Sequence, residues 1–242
     1  MMQEQTSKNA TSTILFDAGA SSQVGPEWFR PDYWRKTDAL RIQSGGRGGV
    51  AIIDTPVGKC VLRHYRRGGL VAGLLGDRYL WTGADRSRPF LEFRLLAEID
   101  RLGLPGPAVV AARYRRRGFF YRADLITRRI ADARTLAECL AEGRLDAVLA
   151  AGVGAVIAHF HRAGVWHADL NAHNVLVAAG KIYLIDFDRG QLRTPAVGWQ
   201  QANLQRLLRS LVKLGAAAKG KAVFDRDIWK LLTDSYGRIM TQ

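Results

Sequence analysis

Short apolar runs separated by turn residues dominate the first half of the chain, and apolar residues at helical spacing dominate the second. Ala51-Ile52-Ile53 and Cys60-Val61-Leu62 flank a turn at Pro56-Val57-Gly58, which predicts a β-hairpin. Phe93, Leu95, Leu96 and Ile99 share one face of a helix over residues 89–102, which Leu104-Pro105-Gly106-Pro107 ends. Val109-Val110-Ala111, a basic turn and the run from Phe119 to Ile126 predict two further strands. Past residue 131, Leu149, Val153, Val156, Ile157 and Phe160 recur at helical spacing, with Gly164 where a C-cap belongs. Val175-Leu176-Val177 and the run from Ile182 to Ile185 flank Ala179-Gly180 as a second hairpin. Leu204, Leu207, Leu208 and Leu211, then a periodic stretch from Phe224 to Tyr236, predict the closing helices. The pattern predicts a bilobal α+β chain: a sheet-rich N-terminal lobe over 14–130 with one helix, and a mainly helical C-terminal lobe over 131–242. Residues 1–13 are polar without apolar periodicity and are expected to form a disordered tail.

Composition narrows the setting. A length of 242 residues with 48% hydrophobic content suits two lobes or one large domain with a substantial core. Cys60 and Cys139 are too few and too far apart for a zinc site or a disulfide framework, which favours a reducing compartment, the cytoplasm. The N-terminus lacks the basic start and apolar run of a signal peptide, and the weakly polar run from Ala147 to Ala158 is too short to span a bilayer, so a soluble or peripheral protein is expected. A formal charge of +14, from 36 Lys and Arg against 22 Asp and Glu, calls for an anionic partner: nucleic acid, an acidic membrane surface or a phosphorylated substrate. Much of it is concentrated in arginine clusters such as Arg113-Arg115-Arg116-Arg117, and arginine favours bidentate recognition of phosphate and carboxylate. Between Pro26 and Ile42, Trp28, Phe29, Tyr33 and Trp34 alternate with basic residues, as in a packed flap or a lipid contact; packing is the favoured reading.

The densest chemistry lies in His167-Ala168-Asp169-Leu170-Asn171-Ala172-His173-Asn174, followed by the second hairpin and Asp186-Phe187-Asp188. An Asp on a loop, an Asn five positions later and an Asp at the end of the next hairpin gather oxygen-bearing side chains at one hairpin mouth. Phosphoryl transfer needs such a set: Asp169 to accept the proton of the attacking hydroxyl, Asn174 and Asp186 to offer hard oxygen ligands to magnesium on the nucleotide phosphates. His167 is assigned to organising this loop rather than to proton transfer, and His159 and His161 to structure; His173 is either an exposed loop residue or a substrate contact. Upstream, Ser44-Gly45-Gly46-Arg47-Gly48-Gly49 precedes a strand, and its backbone N–H groups can approach phosphates, which makes Gly46, Arg47 and Gly48 nucleotide-binding candidates. No Gly-Lys-Ser or Gly-Lys-Thr follows, which disfavours a P-loop NTPase.

The loop-to-turn spacing is similar to the catalytic loop and metal-binding turn of the protein-kinase-like fold. There, a lysine on the strand after the glycine-rich loop pairs with nucleotide phosphates and a helix glutamate. Arg63 stands at that position here, with Lys59 as second candidate; Glu92 is the expected partner and Glu98 the reserve. Thr127 to Ile130 would form the hinge beside an adenine ring. No Ala-Pro-Glu element appears, which favours a small or lipid-linked acceptor over a peptide.

Taken with Val61-Leu62-Arg63-His64-Tyr65-Arg66-Arg67-Gly68-Gly69 and Arg122-Ala123-Asp124-Leu125-Ile126, these motifs resemble the 3-deoxy-D-manno-octulosonic acid (Kdo) kinases of Gram-negative bacteria, within the wider lipopolysaccharide kinase group. The resemblance runs from about residue 26 to near the C-terminus. It implies ATP- and Mg2+-dependent phosphorylation of the 4-hydroxyl of a Kdo residue on a lipid A precursor, in lipopolysaccharide core biosynthesis, at the cytoplasmic face of the inner membrane. It further implies Asp188 as a magnesium ligand or a brace for the metal turn. The expected partners are the Kdo-lipid A acceptor and the anionic membrane, with no nucleic acid and no obligate protein partner. Two alternatives stay open: a kinase for another core sugar such as heptose, or a catalytically weak kinase-fold module that binds anionic membrane or nucleic acid, with Arg63 as the sign of lost activity.

Overall fold

Backbone pairing organises the first half of the chain. The structure is a computed structural model and describes residues 2–19, 24–43, 50–66, 76–218 and 220–242. It divides into two compact units, Met1–Ala97 with Ala108–Arg129, and Glu98–Pro107 with Ile130–Gln242. In chain order the first unit contains β1 (Glu4–Lys8), β2 (Ser12–Asp17), a 3-10 turn (Pro26–Phe29), α1 (Pro31–Lys36), β3 (Leu40–Gln43), β4 (Val50–Thr55), β5 (Gly58–His64) and β6 (Tyr79–Leu80). There follow α2 (Arg88–Arg101), whose last turn belongs to the second unit, β7 (Val109–Arg117) and β8 (Phe120–Arg128). The strands form one antiparallel sheet in the order β1-β2-β7-β8-β5-β4-β3, with β6 also on β8.

Two segments differ from the sequence expectation. Glu4–Lys8 is a strand, not a tail, although all five of its residues are exposed. It pairs from Glu4↔Asp17 to Lys8↔Thr13 against the buried β2. A ladder satisfies main-chain groups whatever the side chains, and a polar outermost strand leaves an edge resistant to aggregation. The expected basic turn is also mostly strand: Arg113 through Arg117 extend β7, and only Gly118, at φ 60°, and Phe119 connect it to β8. Arg113 is therefore a core residue, donating from Nε and Nη2 to Asp124 Oδ2 at 3.0 and 2.8 Å and to the carbonyls of Pro26 and Phe29. Those carbonyls lie in the aromatic flap, where Trp28, Phe29 and Trp34 are buried and Trp34 Nε1 donates to Trp28 O at 2.7 Å. Packing accounts for these aromatic residues, since a buried indole must find an acceptor for its N–H.

The second unit contains β9 (Arg134–Thr135), α3 (Leu136–Ala141), α4 (Ala147–Arg162), β10 (Val165–Trp166), β11 (Val175–Ala178), β12 (Lys181–Leu184), β13 (Gln191–Leu192), α5 (Val197–Lys213), α6 (Lys221–Phe224), a π-helical turn (Asp225–Trp229) and α7 (Lys230–Met240). Thr135 and Glu138 form a reciprocal capping box that starts α3. Glu98–Pro107 belongs here and not with the sheet, because Pro105 O accepts the Leu184 N–H of β12 at 3.0 Å. The division therefore falls near the expected residue 130 but is not sequential. Among the described residues no helix is long and apolar enough to cross a membrane.

Helix α4 is buried along Val153, Gly154, Ile157 and Phe160 and packs against α7. Glycine sets how closely they approach: a Cβ at Gly154 would fall 2.0 Å from Leu232 O. Backbone cannot move aside as a side-chain tip can, so Gly154→Ala is expected to cost about 2 kcal/mol or more. Its melting temperature should fall by roughly 4–8 °C. Gly198→Ala, where nothing lies within 4 Å of the added carbon, is the matched control and should melt at or up to a few degrees above wild type, since alanine favours a helix over glycine by up to about 1 kcal/mol. Equal melting of the two variants would contradict the close packing.

Candidate active site

The chain that leaves α4 turns at Gly164, where a φ of 75° and the closeness of Arg193 O, only 2.3 Å from where a Cβ would sit, admit only glycine. It then forms β10 and reaches His167, which is buried. Both nitrogens of this ring serve the backbone. Nε2–H donates to Ile185 O at 2.9 Å, and Nδ1 accepts the Asp169 N–H at 3.1 Å. Burial pushes the imidazole pKa down, the neutral form this bonding pattern requires. With no lone pair left over, His167 cannot take a substrate proton; it ties the loop to the strand end that carries Asp186.

Asp169 itself is exposed, while its main chain is held from three sides. Asn174 Nδ2 and Asn171 Nδ2 both donate to Asp169 O, at 2.9 and 3.0 Å. Asn171 Oδ1 accepts the His173 N–H at 2.9 Å, closing the turn from which the exposed His173 projects. Asn174 O accepts Ile185 N–H at 3.0 Å, so Asn174 lies beside the residue preceding Asp186. Asp186 is exposed at φ 62°, a left-handed conformation that Asp tolerates better than most side chains. Phe187 anchors it: the ring is fully buried, stacked on Phe160 at 5.7 Å and against His167 at 4.9 Å. Asp188 is half-buried on the same turn, which Gly190 N closes on Phe187 O at 2.7 Å.

These residues fit a magnesium ion. Asn174 gives its NH2 to Asp169, which leaves its amide oxygen as the atom for a cation, and Asp186 and Asp188 add carboxylates. An amide and two carboxylates are hard oxygen donors, and magnesium takes few protein ligands when phosphates and water complete its shell. Among the described residues no group of three or more His, Cys, Asp or Glu side chains gathers as a metal site.

In the first unit, Arg63 of β5 and Glu92 of α2 form an ion pair through Arg63 Nη2 and Glu92 Oε2, and Glu92 is only 2% exposed. Tyr65 OH donates to the same carboxylate oxygen at 2.5 Å, and the Arg63 guanidinium lies 4.7 Å from the Tyr65 ring centroid. Glu98, the reserve candidate, is paired with Arg101, and Lys59 is exposed at the turn end of β5. Gly46, Arg47 and Gly48 lie outside the described residues.

Sequence reasoning predicted α5 from its leucines but missed the polar face by which it supports the loop. On α5, Asn203 Nδ2 donates to His167 O at 3.0 Å and its Oδ1 accepts His167 N–H at 3.3 Å. One turn on, Arg206 Nη1 donates to Asp169 Oδ1 at 2.9 Å, and a further turn on, Ser210 Oγ accepts Ala172 N–H at 3.1 Å. The signal was available: polar residues at i, i+3 and i+7 run beside the leucine face of this helix. Behind Asn203, His161 Nε2 meets its Oδ1 at 3.4 Å, and His161 Nδ1 accepts from Tyr236 OH at 2.9 Å.

Similarity to known proteins extends over most of the chain. Residues 32–236 match the lipopolysaccharide kinase (Kdo/WaaP) family. The chain belongs to that family. Among curated relatives, the 3-deoxy-D-manno-octulosonic acid kinase of Stenotrophomonas maltophilia (strain R551-3) is 48% identical over 209 residues, covering 83% of this chain and 80% of that protein. The 3-deoxy-D-manno-octulosonic acid kinase of Xylella fastidiosa (strain M23) is 45% identical over 219 residues, covering 90% and 87%. Among solved structures, a glucosamine kinase in complex with glucosamine, ADP and inorganic phosphate superposes with a TM-score of 0.54 at 12% identity, over 97% of this chain and 69% of that one. The lipopolysaccharide kinase chain thus has the bilobal, protein-kinase-like α+β fold.

Burial holds His161 neutral, with its pKa lowered from 6.5 to about 4. The unfolded chain takes up a proton near 6.5 that the folded chain refuses until about pH 4. Stability is therefore undiminished by this group above pH 6.5 and is lost as pH falls toward 4. His161→Gln removes that dependence, so its stability deficit against wild type, followed by urea unfolding, should narrow by roughly 1.4 kcal/mol per pH unit across this window. A deficit that stays constant or widens toward acid would contradict a buried neutral His161.

Proposed function

We propose that this lipopolysaccharide kinase family member transfers the γ-phosphate of ATP to the 4-hydroxyl of a Kdo residue on a lipid A precursor, in lipopolysaccharide core biosynthesis. The observation that carries the reading is the Asp169 loop: its main chain is fixed by His167, Asn171 and Asn174 while its carboxylate stays exposed. A carboxylate so held can accept the proton of a sugar hydroxyl as that oxygen attacks phosphorus. Nearly half-identical relatives named as kinases of this sugar acid support the acceptor.

On this reading Asn174, Asp186 and Asp188 hold Mg2+, which when bound neutralises charge developing on the phosphates. Arg63, oriented by Glu92 and Tyr65, would contact the nucleotide phosphates with a planar guanidinium where an ammonium presents a point charge. Gly46, Arg47 and Gly48 are the nucleotide-contact candidates of the glycine-rich segment. Arg206 positions the Asp169 carboxylate. The protein works at the cytoplasmic face of the inner membrane, where arginine excess suits both an anionic acceptor and an anionic surface.

The test is incubation of the purified protein with ATP, magnesium and Kdo-lipid A, followed by mass spectrometry for one added phosphate. No transfer by the wild type, with intact binding to anionic vesicles or nucleic acid, would favour the binding-module alternative. Asp169→Ala should lower kcat by a factor on the order of 100 to 10,000; near-normal turnover would remove Asp169 from the base role. Asp186→Ala should shift the magnesium titration to higher concentration, and an unshifted titration would remove it from the metal site. Arg206→Gln should lower kcat roughly tenfold, one misplaced hydrogen bond's worth, with KM for ATP unchanged. Because both partners of that pair are about half exposed, folding stability should barely move.

A further inference from the structure

The candidate site accounts for little of the arginine excess, and the fold absorbs Arg113. Arg115, Arg116 and Arg117 are exposed at the far end of β7, where the Gly118-Phe119 turn leads into β8. Phe119 is 79% exposed at that turn, and Leu80 on the adjoining β6 is 59% exposed. Leu80 pairs with Phe120, the first residue of β8, so Leu80 and the Gly118-Phe119 turn lie at the same end of the sheet. The fold uses only the backbone of Phe119, whose carbonyl accepts Trp81 N–H at 2.9 Å.

Cationic groups surround this tip. Strand alternation puts Arg115 and Arg117 on one face and Arg116 on the other, where its guanidinium lies 4.9 Å from the Trp81 ring centroid. Lys8 lies at the same end, since β1 pairs with β2 at Lys8↔Thr13 and β2 with β7 at Ser12↔Arg115. Nearby acids are already committed: Asp77 to Arg122 and His64, Asp85 to Arg94, and buried Asp124 to Arg113 and His64, with the Nε of Arg115 3.9 Å from the same carboxylate. The net field at the tip is positive.

We propose that the β7–β8 hairpin tip docks this protein on an anionic lipid surface, with Phe119 and Leu80 entering the headgroup region and Arg115, Arg116 and Arg117 meeting lipid phosphates around them. An aromatic and an aliphatic side chain ringed by arginines match an interface that is apolar below and anionic above. Nucleic acid would meet the same charge, but an aliphatic Leu80 offers a base no stacking surface. The inference rests on the membrane contact proposed above and names where it is made.

The test uses the full chain and vesicles of phosphatidylglycerol and phosphatidylcholine. Phe119→Ser should weaken binding on the order of 10-fold. The combined change of Arg115, Arg116 and Arg117 to Gln should weaken it on the order of 100-fold, with loss of most of the salt dependence. Phe119→Trp should gain emission that brominated lipid quenches beyond the wild-type background. All these variants should phosphorylate detergent-dispersed acceptor at the wild-type rate, a readout that reports on the kinase reading separately. Vesicle binding unaffected by the substitutions, an unquenched Trp at 119, or loss of nucleic-acid binding alone would each overturn the proposal.

Discussion

The second unit depends on one buried imidazole. His167 joins the Asp169 N–H to the Ile185 carbonyl, so a loop and a strand end that are separate in sequence become one rigid piece. The constraint is double. The ring must stay neutral to accept on Nδ1 while donating from Nε2, and burial enforces that neutrality by penalising the charged form. A cationic His167 would lose the acceptor, release Asp169 and bring an uncompensated charge beneath Phe187. The residue in this loop that most resembles a catalytic base is thereby prevented from acting as one, and Asp169 is the residue proposed for the base role.

Around this bridge the support is layered and almost wholly polar to backbone. Asn203 spends both ends of its amide on His167, and His161 and Tyr236 lie behind it, extending the network from α5 to α4 and α7. Burial raises the Tyr236 pKa to about 12, so the phenol stays a donor at all relevant pH. Such networks are costly when incomplete and rigid when satisfied. The first unit solves a parallel problem with ions. Asp124 is nearly buried and takes Arg113 on one oxygen and His64 on the other, and these bonds hold its carboxyl below the usual range against the desolvation that opposes them. Arg63 and Glu92 form a second pair in the same unit, with arginine where related folds place lysine.

Much of this was legible before any coordinates. The β11–β12 hairpin, α4, α5 and the loop between His167 and Asn174 follow from periods of two and 3.6 and from turn residues, because each is stabilised mainly by which face it buries. The illegible parts have identifiable causes. Glu4–Lys8 carries no apolar pattern because its partner strand supplies the buried side and it supplies only a ladder. Arg113 belongs to a run that looks uniformly solvated, and nothing local marks it as the buried arginine, bonded to Asp124 eleven residues on. Asn203, Arg206 and Ser210 are ordinary polar residues until α5 is laid along the Asp169 loop, a long-range contact that no local window contains.

Every proposed role converges on the sugar oxygen that receives the phosphate. The most direct measurement is phosphorus–proton correlation NMR on the product formed from ATP and Kdo-lipid A. Correlation of the new phosphorus signal with the proton at position 4 of the Kdo ring is the predicted result. A phosphate on another Kdo oxygen, on a different sugar or on the lipid A portion, or no new phosphorus signal at all, would contradict it.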